Sequence, residues 1–593
     1  MIERKMKFLN SKFKIQNSKE DGVALLVVLF IIMAITILSL GFMSRSDVEL
    51  ACGENMVLRT QMDYLAESGL EHAKGLILNP QDVASEEYWS GATRQQLVAG
   101  SEDYYDVGVV RDTNDCCNYI IDCNSYRMKD GQEIGRSSLS AQLRLDPCIG
   151  LWIGSATTIW TGIRINGDVY CNGTLENKGV INGDVFAGTL SGSGSIAGRL
   201  KATSDLSLVW PRVTVTDFTS RYSTVTISSG SLSGVTLGPY GNPVQVCYRS
   251  GDLLLAGDVR IESMLVVVGN LTIQGDRNMI VAPKNLPALL VTGDLTLKSA
   301  ATLQINGLAV VYGRTLVGAG GANLTVLGGL FVEDGLAETA ADSSSSANIG
   351  VLYNGPAWQP WSGRTGGALL FDGVDDYVQT PNSLTKLQVA NNYTLSVWLK
   401  PASSQKSWAG IISKCNPSGS TNHWTLQFDS SSPKRLIVYH PDYLPSPKSW
   451  DTGILLSEIA GAWHHVAVVR NGVIMTSYLD GSPRSTGTWP NIPGFGDGHL
   501  NIAADRTATP SYVYNGLIDD VRIYNRVLDP NQVYPPIDGL AGLIAHWKFD
   551  ESGSNVTTTA EPTETAIITW SEQGVAQKWG QAAGAFFRSI RRN

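Results

Sequence analysis

Apolar and polar residues follow three different rhythms along this chain, and each rhythm predicts a different kind of element. From Val23 to Met43 the run VALLVVLFIIMAITILSLGFM holds 21 residues without a charge. At about 1.5 Å of rise per residue, a helix of this length covers the roughly 30 Å hydrocarbon core of a bilayer, so the run predicts one transmembrane helix. Beyond it the spacing turns amphipathic. Leu58, Met62, Leu65, Gly69, Ala73 and Leu76 recur every three or four residues, while Glu54, Arg59, Asp63, Glu67 and Glu71 take the wet side. One helix is expected over 23–79, stopped by Pro80.

The rest of the chain alternates with a period of two. Tyr104 to Val110, Cys117 to Asp122 and Ser138 to Leu145 read as three strands separated by turn residues such as Asp130-Gly131, giving a small β head over 80–148. Over 149–338 the strands shorten and glycine punctuates them: Ile165-Asn166-Gly167-Asp168-Val169 returns as Ile181-Asn182-Gly183-Asp184-Val185 and, more loosely, as Ile196-Ala197-Gly198-Arg199-Leu200. Repeats with one turn glycine and one inward apolar pair per coil predict a β-solenoid whose coils bury one another. The repeated aspartates are read as turn-formers. Between 339 and 532 the alternating strands lengthen and end on Gly, Asp or Pro, which predicts an antiparallel β-sandwich of jelly-roll type. The fold class is therefore mainly β, with one long N-terminal transmembrane α-helix, a small α+β head, a β-solenoid and a jelly roll.

Composition changes the picture in three ways. Formal net charge is −9 and only 17% of the 593 residues are charged, which argues against nucleic acid as a partner. The leader 1–22 is nevertheless basic, with Arg4, Lys5, Lys7, Lys12, Lys14 and Lys19 against Glu3, Glu20 and Asp21. This bias keeps the N-terminus in the cytoplasm, so the protein is expected to be single-pass, in contact with membrane lipid, with the bulk of the chain outside. Eight cysteines fall in an oxidising compartment on this reading. One or two disulfides are expected among Cys116, Cys117, Cys123 and Cys148, their connectivity open, while Cys52, Cys171, Cys247 and Cys415 read as small buried residues.

Gly22 ahead of the apolar helix, followed by Tyr64-Leu65-Ala66-Glu67-Ser68-Gly69-Leu70-Glu71-His72-Ala73, resembles the N-terminal region of type IV prepilin-like minor pilins and pseudopilins. The resemblance covers the first 145 residues or so and implies a prepilin-peptidase cut between Gly22 and Val23, a pilin-like head, and pilin or pseudopilin subunits as partners. Two positions depart from that pattern: Glu20-Asp21 stands where a basic residue is usual, and Val27 replaces the usual glutamate. Without that glutamate, an ion pair in lipid loses one partner, which suits a tip or minor position. An uncut signal anchor is the plain alternative.

A second resemblance covers about 340–530. Gly366 to Val378 (GGALLFDGVDDYV), Tyr393 to Pro401, Trp463 to Arg470, Tyr478-Leu479-Asp480-Gly481 and Gly516 to Arg526 resemble, in this order, the laminin G-like, concanavalin A-like domain. The resemblance implies binding of glycans or other proteins and a structural calcium, with Asp372 and Asp520 as the calcium carboxylates; the alternative is that both cap turns without metal. Sugar would stack on loop aromatics, for which Trp408, Tyr439, His440, Trp450 and Trp489 are the candidates. No Glu-x-Asp or Glu-x-Glu pair in this region offers the two carboxylates a glycosidase needs, so no catalytic residue is expected. Gly542 to Gly553 and Trp579 to Phe586 resemble the start of a second such unit, too short to be complete, or a tail that completes the first. The favoured reading is a membrane-anchored or pilus-associated surface protein presenting an adhesive jelly roll on a solenoid stalk. The alternatives are a polysaccharide-active enzyme with the jelly roll as accessory module, and a structural filament subunit.

Overall fold

Helix α1 runs unbroken from Asp21 to Leu78, a length of 58 residues. Every side chain from Val23 to Met43 is exposed, an arrangement of apolar surface that a hydrocarbon layer would cover. The second half packs instead: Met62, Leu65, Ala66, Leu70, Ala73 and Ile77 are buried against Tyr105, Val107, Ile121, Leu139 and Leu143 of an antiparallel sheet. Gly69 makes this approach feasible, because a Cβ there would collide with Cys123 Sγ. Ser125 Oγ donates to Met62 O at 2.6 Å and ties the sheet to the helix backbone. The structure is a computed structural model and describes residues 21–78, 89–112, 118–146, 148–202, 213–239, 245–283, 286–346, 348–380, 391–415, 424–440, 448–489, 498–505, 512–560 and 584–592.

Among the cysteines, Cys148 is disulfide-bonded, whereas Cys123 is a free thiol, buried in the head core, and is not a disulfide member as expected. Cys116 and Cys117 lie outside the described residues. Cys171 and Cys247 are buried and not disulfide-bonded, but Cys52 sits exposed on α1.

The solenoid consists of parallel strands on three sides. Its inner core is aliphatic and includes Leu151, Ile165, Val185, Leu255, Ile273, Leu297 and Val326. The repeated Gly-Asp turns form a ladder between coils: Asp168 Oδ1 accepts from the Asp184 N–H at 2.8 Å, Asp184 Oδ1 from Arg199 N–H at 2.8 Å, and Asp294 Oδ1 from Arg314 N–H at 2.8 Å. Each carboxylate therefore satisfies the turn of the neighbouring coil rather than its own, and the preceding glycine is needed because a Cβ on Gly183 would strike Gly167 O.

The stacking order corrects the expected stalk. On one side the strands run Leu200–Ala202, Val185–Ser191, Asp168–Asn177, Ile149–Ile153, Leu330–Val332, Ala309–Val311 and on to Ser223–Thr226. The chain enters in the middle at Ile149, coils outward to Ala202, and resumes at Ser223 at the far end to coil back until Leu330–Val332 lies against Ile149–Ile153. The head joins this central pair of coils through Asp146 and Ile149, and the jelly roll joins it through Ala340 and Gly350. Coils thus extend to both sides of a shared junction, and the solenoid does not act as a spacer stacked between head and jelly roll.

The jelly roll is inserted before the solenoid closes. Thr339 pairs with Val351 and Ala340 with Gly350, so one solenoid sheet continues through Gly350–Tyr353 and Tyr377–Gln379 into a sheet of the sandwich. The second sandwich sheet faces it across Leu369, Phe371, Leu395, Val397, Trp424, Leu426, Trp489 and Trp547. Among the described residues the tail completes bodies already present, while residues 579–583 of the expected second unit lie outside the described residues. Leu543–Trp547 pairs with Asn515–Tyr524 in the same jelly roll; Asn555–Thr559 then slots in parallel between Asn323–Leu327 and Ile163–Asn166 of the solenoid; and Gly584–Arg592 joins the head sheet beside Gln132–Asp146. The described residues of the tail, 543–560 and 584–592, thus return to all three bodies in turn.

Candidate functional site

The strands Trp424–Phe428 and Arg435–Tyr439 pair antiparallel, with Thr425 opposite Tyr439. Leu426, Phe428, Leu436 and Val438 point into the sandwich core, which leaves Gln427 and Tyr439 on the opposite face. Trp408, held at φ +65° in the turn before Gly410–Cys415, swings its indole beside Tyr439; the ring centres lie 6.2 Å apart at 42°. With Asp505 and Tyr512 these residues line a pocket of about 180 Å³, smaller than the clefts that take drug-sized ligands and suited to one ring of a larger ligand. Gln427 is 1% exposed and its Oε1 has no hydrogen-bond partner among the described residues. A buried amide oxygen without a donor costs free energy, which a ligand hydroxyl in the pocket would recover.

Of the aromatics expected to stack on sugar, the fold brings together Trp408 and Tyr439 only. Trp450 and Trp489 are core residues, and His440 is fully buried. Trp450 alternates with Thr452 and Ile454 on the inward side of Ser449–Leu455, which is why its ring cannot reach a ligand. Sequence reasoning missed Gln427, although a polar residue between inward Leu426 and Phe428 was a readable signal.

The two expected calcium carboxylates do not meet. Asp372 pairs with Asn515 across the strands, which puts Asp520 five residues further along the partner strand. Asp520 is committed elsewhere: Arg522 Nε donates to it at 2.8 Å, and His546 Nε2 lies 2.6 Å away. Burial acts to raise its pKa, but the hydrogen bonds from His546 and Arg522 outweigh it and hold the carboxyl below its ordinary range. Asp372 instead gathers with Asp375 and Asp376, one carboxylate oxygen of each lying within 4.8 Å of the others. Asp376 Oδ2 accepts from the Asp372 N–H at 3.0 Å, while its Oδ1 is buried without a partner among the described residues. Burial, followed by the charge of Asp372, pushes Asp376 up to about 7. Three carboxylates with one orphaned oxygen make an oxygen donor set that fits a hard divalent cation.

A second buried carboxylate, Asp519, accepts the N–H groups of Arg364 and Thr365 at 2.7 and 3.2 Å, and burial raises it to about 7. His465 is buried with its Nε2 2.8 Å from Ser396 Oγ, and burial lowers it to about 4. Beside the solenoid repeats, Arg260 and Glu262 form a mutual ion pair at 2.5 Å, and Arg277 pairs with Asp258 at 2.6 Å.

Comparison with known proteins agrees with the jelly-roll geometry. Residues 372–534 match the laminin G family model described as concanavalin A-like lectin/glucanases superfamily. The chain therefore carries a laminin G-like domain of concanavalin A-like type. A zebrafish (Danio rerio) protein, adhesion G-protein coupled receptor V1, is 28% identical over 180 residues, covering 28% of this chain and 3% of the receptor, so the chain spans a small fraction of that relative. Among solved structures, domain 4 of AbnA, an extracellular arabinanase from Geobacillus stearothermophilus in complex with arabinotriose, aligns over 33% of this chain and 97% of its own at 20% identity and TM-score 0.25. A Bacteroides ovatus protein described as a "putative carbohydrate binding protein" covers 29% of this chain and 49% of its own at 16% identity and TM-score 0.24. The enzymatically active domain of tailspike protein 2 from bacteriophage CBA120 covers 77% and 95% at 10% identity and TM-score 0.27.

Proposed function

We propose that this protein is a membrane-anchored recognition protein whose laminin G-like domain binds glycan outside the cell. The observation that carries the reading is the pocket lined by Trp408, Tyr439 and Gln427, whose buried Oε1 has no partner among the described residues. An aromatic face takes the apolar C–H face of a sugar ring, and a buried acceptor takes one of its hydroxyls. Binding rather than turnover is favoured because Asp520 is held by Arg522 and His546, and Asp519 accepts the Arg364 and Thr365 N–H groups.

Anchoring by α1 is favoured over removal of a signal sequence. The helix passes Met43 without a break, and its next turns supply Met62, Leu65 and Leu70 to the head core. The prepilin-like route, with cleavage between Gly22 and Val23 and assembly with pilin-like subunits, fits an exposed apolar helix followed by a small α+β head. N-terminal sequencing of membrane-extracted protein tests it: a mature start at Val23 supports the route, and an intact Met1 rejects it.

A glycan array probed with the full chain in detergent tests the binding role. Retention of at least one glycan class, lost in W408A and Q427A, supports the reading. An array blank for the wild-type chain, with a panel of extracellular proteins bound instead, overturns it.

A further inference from the structure

One outer face of the solenoid carries a groove that uses no jelly-roll residue. Thr236, Arg260, Met279, Gln304 and Thr325 stand in register on successive coils. Their chain neighbours Ile261, Ile280, Ile305 and Val326 are fully buried in the solenoid core, so alternation turns this row outward. Neighbouring strands lie about 4.8 Å apart, which makes the row about 19 Å long. Together with Asn278 it lines an open groove of about 530 Å³.

One group in this groove is incomplete. Asn278 is 2% exposed, and its Nδ2 donates to Gln274 O, Gly275 O and Thr302 O at 3.4, 3.2 and 3.2 Å. Three carbonyls around the nitrogen fix the orientation of the amide, which leaves Oδ1 as an acceptor with no donor among the described residues. A buried acceptor of this kind costs free energy until a hydroxyl or N–H reaches it. Gln304 offers a second acceptor on the same wall: its Nε2 donates to Asn306 Oδ1 at 2.9 Å, which leaves Oε1 for a ligand.

Charge narrows the ligand class. Arg260 pairs with Glu262 at 2.5 Å, and Arg277 on the groove wall pairs with Asp258 at 2.6 Å and with Asp276 at 3.7 Å. Three carboxylates offset these two guanidinium groups, so a polyanion finds no excess of positive charge here. None of the described lining residues is aromatic, so a flat apolar ligand has no ring to stack on. What the face does present, coil after coil, is hydroxyl and amide groups at equal spacing, the complement of a chain of uncharged sugars rather than of a single ring. We propose that this face of the solenoid binds an uncharged polysaccharide laid along the solenoid axis, with one sugar hydroxyl donating to Asn278 Oδ1 and others meeting Gln304 and Thr325. The site shares no residue with the Trp408 pocket, and either can exist without the other.

The test is hydrogen exchange of the full chain in detergent, with cellohexaose, mannohexaose and xylohexaose as uncharged probes and polygalacturonate as the anionic one. A probe at about ten times its dissociation constant gives roughly tenfold protection of the amides its binding secures. Protection by at least one uncharged probe is expected in 278–281, 302–306 and 323–327, with none from polygalacturonate. T325W, an outward substitution that fills the groove, should abolish this protection and leave exchange of the probe-free chain unchanged. Q304A should weaken binding roughly two- to tenfold, the loss of one hydrogen bond. Protection in these strands with none in 424–439 upholds this site even where the jelly-roll reading fails. Protection confined to 424–439, an equal response in T325W, protection of these strands by polygalacturonate, or no response to any uncharged probe overturns it.

Discussion

The strand Asn555–Thr559 is the sharpest place to perturb this architecture, because it lies far along the chain from both of its neighbours. Val556 is 1% exposed and stands in register with Leu324 on one side and Ile163 on the other. Truncation to alanine removes two carbon groups, worth about 0.8 kcal/mol each by transfer, and adds a cavity term, for a total of roughly 2–3 kcal/mol. Thr557 in the same strand points outward, and T557A should stay within about 0.5 kcal/mol. Hydrogen exchange of the full chain reports the effect locally. In V556A, amides of 163–166, 323–327 and 555–559 should all exchange faster by roughly 30- to 150-fold, the factor that 2–3 kcal/mol implies. Faster exchange limited to 555–559, with both neighbours unchanged, would refute the claim that the tail completes the solenoid.

Three further predictions concern charge, thiols and packing. Asp519 keeps its proton to about 7 when folded, against 3.8 ordinarily, so the folded chain binds more protons between those values and its stability falls as pH rises through them. His465, lowered to about 4, contributes the opposite slope between about 4 and 6.5, so the measurement is the difference in thermal stability between wild type and D519N; it should shrink toward low pH, and a pH-independent difference would contradict the assignment. Iodoacetamide should label Cys52 and spare Cys123, whose thiol burial pushes up to about 12; mass spectrometry finding Cys123 modified first in the native chain would contradict its place in the head core. G69A should loosen the helix against the sheet by forcing Cys123 aside, seen as faster exchange in 62–78; unchanged exchange would count against the close approach.

Much of this fold is legible from residues alone where local rhythm and long-range packing agree. The apolar run, the Gly-Asp repeats and the alternating strands of the sandwich each carry their own period. What the rhythm does not carry is order in space. Nothing in Asn555-Val556-Thr557-Thr558-Thr559 marks a core strand, since only Val556 is strongly apolar, and its partners lie more than two hundred residues away. The same holds for the central entry at Ile149, which depends on which coil meets which, and so the stalk expectation failed. At the site, the failures were local and avoidable. Asp520 and Arg522 stand at alternate positions on one strand, so their pairing could have been read; the same alternation places Trp450 inward with Ile454. Asp375 and Asp376 were hidden only because Asp372 was considered without its turn.

The central claim is that the pocket beside Trp408 is where this protein meets glycan. Isothermal titration of the full chain with the strongest glycan from the array, compared between wild type and W408A, measures it directly. A half-buried aromatic anchor of this kind predicts a loss of about tenfold or more in affinity, with the melting temperature of the jelly roll unchanged. Equal affinity in the two proteins would contradict the account.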